Sequence, residues 1–121
     1  MRKIKFRAWD KENEKMMKVS SLHLENKEIS VKENGTFHLF RMQDLMQYTG
    51  IKDKNGKEIY EGDIVILNDA EEENRCIVKY KYGSYILVDG DLREDLSNVE
   101  DRFLEVIGNI YENKNLLEEN K

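Results

Sequence analysis

Two histidines, His23 and His38, and one cysteine, Cys76, are the residues of this 121-residue chain best suited to proton transfer or nucleophilic attack. Both histidines fall in stretches that alternate like strands. If those strands pair, the imidazoles could face one another and, with Asp44 or Cys76, imitate a base and a nucleophile. No local signature surrounds either histidine, and a cysteine in an alternating strand is commonly a small buried hydrophobe. No phosphate loop, dinucleotide fingerprint, zinc-protease helix or nucleophile elbow occurs. A zinc site built on cysteine needs about four ligands, of which this chain offers one. Asp53-Lys54-Asn55-Gly56 resembles part of a calcium loop, but the spacing of oxygen ligands fails and Lys52, Lys54 and Lys57 crowd it with positive charge, so it reads as a turn. The expectation is a protein without a catalytic centre, a metal or a cofactor.

Two other groups of residues could bind rather than react. Arg2, Lys3, Lys5 and Arg7 form a basic row beside Trp9, which could track a phosphate backbone while the indole stacks on a base. The same row fits charges placed on an edge strand to block aggregation, with Trp9 in the core. Each neutralised phosphate adds about 0.9 to the log–log salt slope, so four contacts bind weakly unless an oligomer multiplies them. Tyr80, Tyr82 and Tyr85 flank one hairpin. Exposed aromatics are favoured anchors of protein interfaces, and each buries on the order of 150–250 Å². Packing inside a small barrel is the competing reading of the same rings.

The formal net charge of −5 argues against a general nucleic-acid binder, because such affinity comes mostly from neutralising phosphates. At 39% hydrophobic and 37% charged residues the chain is too apolar for disorder, so a small core inside a very soluble surface is expected. The single cysteine fits a reducing compartment. No apolar run approaches the roughly 18 residues of a membrane span and the start lacks a signal-peptide core, so a cytoplasmic location with no membrane partner is expected.

The elements that must position these residues are short strands. Ile4, Phe6 and Ala8 alternate with lysine and arginine, and Met16 to Val19 returns as the second strand of a hairpin. Leu22 and Leu24, then Ile29 and Val31, are period-two pairs joined by a polar turn. Asn34-Gly35 is the strongest hairpin signal, since a type I′ turn needs positive φ at both central residues. Residues 41–48 fit a helical turn or a strand equally, because Leu39, Met42, Leu45 and Met46 have helical spacing.

Residues 47–65 organise the rest of the chain. Thr49-Gly50, Asn55-Gly56 and Glu61-Gly62 are three places where the backbone can reverse before the apolar run at Ile64 to Leu67. Strands at Cys76 to Tyr80 and Tyr85 to Val88 follow. Leu92, Leu96, Val99 and Phe103 have helical spacing, with Asp91 as the candidate N-cap, and predict a short helix or 3₁₀ turn. Val106 to Tyr111 reads as the last buried strand, with a bulge at Gly108.

The central stretch, together with Lys5-Phe6-Arg7-Ala8-Trp9-Asp10 and Glu105-Val106-Ile107-Gly108-Asn109-Ile110-Tyr111-Glu112-Asn113, resembles the YopX family of phage and prophage proteins. The three motifs stand in the same order and span the chain nearly end to end. Lys114 departs from the pattern, which has a proline there. The resemblance implies a compact β-rich phage or prophage protein that self-associates, and it implies no particular activity. The expected architecture is mainly β with little helix: N-terminal β-hairpins over residues 1–48, an SH3-like small barrel over 49–113 and a polar tail over 114–121. The expected role is a phage or prophage accessory protein, oligomeric and non-catalytic, that binds a phage or host protein. A nucleic-acid binding module using the basic N-terminal strand is the alternative.

Overall fold

The computed structural model describes residues 3–69 and 72–118. The chain is mainly β, built from antiparallel strands, and divides after Gln47 into two compact units, Met1–Gln47 and Tyr48–Lys121.

In the first unit, β1 (Phe6–Asp10) and β2 (Lys15–Lys18) form a hairpin whose register runs from Arg7 opposite Lys18 to Asp10 opposite Lys15. Asp10 closes the turn. Its carboxylate accepts from the Asn13 side-chain amide at 2.9 Å and from the backbone N–H groups of Glu12 and Asn13 at 3.0 and 3.3 Å. The Asn13 side-chain bond is the largest influence holding the Asp10 carboxyl below its ordinary range. A second sheet places β4 (Glu28–Glu33) between β3 (Ser21–His23) and β5 (Thr36–Arg41). Asn34 and Gly35 make its tight turn with φ of 50° and 82°, as a type I′ turn demands. Ala8, Met17, Ile29 and Val31 form the unit's core, and Leu22, Phe40, Met42 and Leu45 pack against it.

The 41–48 segment resolves as a strand. β6 (Leu45–Lys52) begins just after Asp44, whose φ of 45° interrupts any helix. Its first residues pair with β1, with Phe6 opposite Gln47 and Ala8 opposite Leu45. Consequently β1 lies between β2 and β6, which corrects the edge-strand reading for Arg7, the member of the basic row that falls within β1.

In the second unit, β8 (Asp63–Asn68), β9 (Glu73–Lys81), β10 (Ser84–Asp89), β11 (Leu92–Asp95) and β12 (Leu104–Asn109) form a curled half-barrel sheet in the order β11-β10-β9-β8-β12. β7 (Glu58–Tyr60) pairs with the end of β6. Ile59, Val65, Cys76, Val78, Leu87, Leu96 and Leu104 make the core. The backbone does not reverse at Thr49-Gly50. Gly50, with φ of 88°, absorbs a bulge as the register passes from Tyr48 opposite Tyr60 to Lys52 opposite Glu58. Thr49 secures it by donating its hydroxyl to the Ile59 carbonyl at 2.7 Å.

Residues 92–103 hold the expected 3₁₀ structure only in their second part. Leu92–Asp95 continues the sheet, and two 3₁₀ turns follow at Leu96–Asn98 and Asp101–Phe103. The cap is Asp95 rather than Asp91, its Oδ1 accepting from the Ser97 N–H at 3.0 Å. The helical spacing arises because Leu96 plugs the core from the first turn while Leu92 and Val99 pack around it. The tail carries a short helix, α1 (Lys114–Glu118), and Arg75 Nη1 donates to the Leu116 carbonyl at 2.9 Å. The final three tail residues lie outside the described residues.

The bulge expected at Gly108 is present, where the register between β12 and β8 shifts between Val106 and Gly108. A Cβ at Gly108 would stand 2.5 Å from Asn113 Oδ1, the atom that accepts from the Asn109 N–H. Gly108→Ala is therefore expected to displace the Asn113 side chain and cost about 2 kcal/mol, a typical penalty for overpacking. Thermal unfolding measures it, and an unchanged midpoint would show that Asn113 moves freely.

Candidate protein-interaction surfaces

The histidines do not meet. β4 separates β3 from β5, and the pleat sends the two imidazoles to opposite faces: His23 stands opposite Glu28, whereas His38 stands opposite Val31. His23 Nε2 lies 3.3 Å from Ser21 Oγ. Cys76 is fully buried in the second unit's core, and burial, with a smaller push from Asp89, raises its thiol to about 11. Such a thiol stays protonated and is a poor nucleophile at neutral pH. Asp44 is half-buried, with Lys11 Nζ at 3.5 Å.

The calcium-like turn uses its carboxylate internally. Asp53 is 3% exposed, and its Oδ1 accepts from the N–H groups of Asn55 and Lys57, both at 2.9 Å, while Oδ2 accepts from the Val106 N–H at 2.9 Å. Burial alone would raise this carboxyl, but the backbone bonds from Val106, Lys57 and Asn55 outweigh it and hold it below the ordinary range. Asp53 thus ties the central turn to β12. Among the described residues, no three or more His, Cys, Asp or Glu side chains gather as a metal site.

Of the basic row, Arg2 lies outside the described residues, Lys3 is exposed, and Lys5 and Arg7 are half-buried. Trp9 is 9% exposed, so its ring faces offer no platform for a base. Beside the start of β4, an open depression of about 410 Å³ is lined by Asn26, Lys27, Glu28, Arg41 and Met42, where basic and acidic groups oppose each other.

The tyrosine hairpin is a different surface. Strands β9 and β10 are joined by Tyr82 and Gly83, with Lys81 opposite Ser84 and Tyr80 opposite Tyr85. Both turn residues take positive φ, 53° at Tyr82 and 80° at Gly83. A left-handed conformation is uncommon for a bulky residue, and here it coincides with a Tyr82 side chain that is 98% exposed. Tyr80 is 53% exposed, and its ring meets Tyr85 edge-on with centroids 5.0 Å apart. This cross-strand contact sets the orientation of the Tyr80 ring. The structure therefore joins all three tyrosines at one end of a paired, nine-residue strand.

A second apolar surface was not anticipated from the sequence. Phe37 and Leu39 on β5 are each 62% exposed. The sign was present in Phe37-His38-Leu39-Phe40, where alternation fails because both parities are apolar or aromatic. Phe40 fills the core side, while Phe37 and Leu39 cover the opposite face.

The chain belongs to the YopX family: the family model described as YopX protein matches residues 5–118. Among solved structures, it is similar to the crystal structure of protein EF1440 from Enterococcus faecalis, at 31% identity and a TM-score of 0.67. That likeness covers 97% of this chain and 99% of the other. No curated protein matches the chain. No helix of the described residues is long and apolar enough to cross a membrane.

Proposed function

We propose that this YopX-family chain is a phage or prophage accessory protein that is oligomeric, works in the host cytoplasm, and acts by binding a phage or host protein rather than by catalysis. The observation that carries the reading is the β9–β10 hairpin tip, where Tyr82 is 98% and Tyr80 53% exposed. Tyr80, held on a paired strand by its edge-on contact with Tyr85, loses little further side-chain freedom when it docks, which is the economy of a preorganised interface. Tyr82 adds an open ring from the turn beside it. The inert setting of Cys76 and the separation of His23 from His38 support a non-catalytic role. The nucleic-acid alternative draws less support, since Trp9 is buried and the net charge is −5.

Tyr80→Ser combined with Tyr82→Ser tests the reading. Tyr82→Ser is expected to stay within about 0.5 kcal/mol, while Tyr80→Ser also removes the edge-on contact with Tyr85, worth about 0.5–1.5 kcal/mol. The double variant should therefore melt several degrees lower yet remain folded. Retention of a protein partner from phage-induced host lysate is expected to fall at least tenfold, the equivalent of about 1.4 kcal/mol. Undiminished retention would remove the hairpin from the interface.

A further inference from the structure

We propose that β5 is the edge along which two copies of this chain pair, antiparallel and two-fold symmetric about Leu39. The inference rests on the oligomeric reading above and names its contact. β5 is the outer strand of the β3-β4-β5 sheet, and its sequence, Thr36-Phe37-His38-Leu39-Phe40-Arg41, carries one full charge, at its end. The other sheet edges are guarded. β2 begins and ends with lysine, β3 and β7 have three residues each, β11 carries Arg93, Glu94 and Asp95, and β12 is broken by its bulge at Gly108. Natural edges carry such charges, bulges and short lengths to prevent pairing. β5 is long, apolar and unguarded.

The pleat fixes the geometry of the pairing. The two-residue turn makes Glu33 and Thr36 a hydrogen-bonded pair, and the Met42 N–H donates to the Lys27 carbonyl at 2.8 Å. Even-numbered residues of β5 therefore bond inward to β4, and the backbone groups of Phe37, Leu39 and Arg41 point outward. Pairing about Leu39 sets Leu39 against its own copy and each Phe37 against Arg41 of the other chain, with about six backbone hydrogen bonds.

The side chains match in the same register. The two leucines meet at the axis, and each Arg41 guanidinium reaches a Phe37 ring, a favourable cation–aromatic contact. Lys32 Nζ already sits 5.6 Å from that ring's centroid within the chain. No like charges are brought directly opposite. Two copies each of Phe37 and Leu39 offer on the order of 400 Å² of side-chain surface. That is short of the roughly 1,200 Å² of a standard stable interface, so the pair is expected to be weak and to dissociate on dilution.

The test measures mass by sedimentation across a dilution series for the full chain and Leu39→Lys, with cross-linking of Leu39→Cys and Phe37→Cys under mild oxidation. Wild type is expected to move from dimer to monomer on dilution, and Leu39→Lys to remain monomeric with an unchanged melting temperature. Leu39→Cys places two sulfurs directly opposite and should cross-link about tenfold faster than Phe37→Cys, within the reach of disulfide geometry. An oligomer that survives Leu39→Lys would overturn the β5 contact while leaving the oligomeric reading standing. A wild-type monomer at every concentration would overturn both.

Discussion

Asp53→Ala is expected to lower the stability of the fold by about 3–4 kcal/mol, and to do so without removing any apolar contact. The buried carboxylate satisfies the N–H groups of Asn55, Lys57 and Val106, all at 2.9 Å. Alanine would leave these donors without that acceptor, and each stranded donor costs about 1–3 kcal/mol, reduced where water can enter. The native carboxyl is held below its ordinary range, so its contribution is fully present above the unfolded-state pKa. It is lost as pH falls through the native value. The stability gap between wild type and Asp53→Ala should therefore be constant near neutrality and shrink in acid. Denaturant unfolding across that pH range measures the gap, and one that does not shrink would mean the carboxylate is not the group that matters.

Leu87→Ala is expected to cost about 3 kcal/mol by the other main route, a cavity in a packed core. Leu87 is fully buried among Val78, Cys76, Leu96 and Leu104. Leu39→Ala, the same change at an exposed position on β5, should stay within about 0.5 kcal/mol. Equal effects at the two leucines in equilibrium unfolding would contradict the burial that separates core from surface.

The two leucines also show how far the fold was legible. Period-two patterns placed the β1–β2, β3–β4 and β9–β10 strands, and Asn34-Gly35 placed its turn, because these signals depend on neighbours in sequence. Helical spacing left residues 41–48 undecided, and at 92–103 it found the 3₁₀ turns but not the strand at Leu92–Asp95 that precedes them. In the first, a left-handed Asp44 interrupts the chain; in the second, Leu96 reaches the core from a 3₁₀ turn that follows a strand. Gly50 takes the positive φ that its residue type favours, but positive φ serves a bulge as well as a reversal, and only its strand partner decides which.

The site was legible in part. Tyr80, Tyr82 and Tyr85 were visible as a group, while their exposure depends on where the sheet ends. Strand order decided the rest. Nothing local to Arg7 or Trp9 reveals that β1 is flanked on both sides, and nothing local to Phe37 reveals that β5 is an outer strand.

The central claim, that this chain acts by binding protein, is tested most directly by capturing partners from phage-induced host lysate and washing at rising salt, with protein and nucleic acid both assayed. The account predicts a protein retained in fixed stoichiometry through high salt, because aromatic burial is insensitive to screening. Nucleic acid released steeply as salt rises, with no protein retained, would contradict it and return attention to Lys3, Lys5 and Arg7.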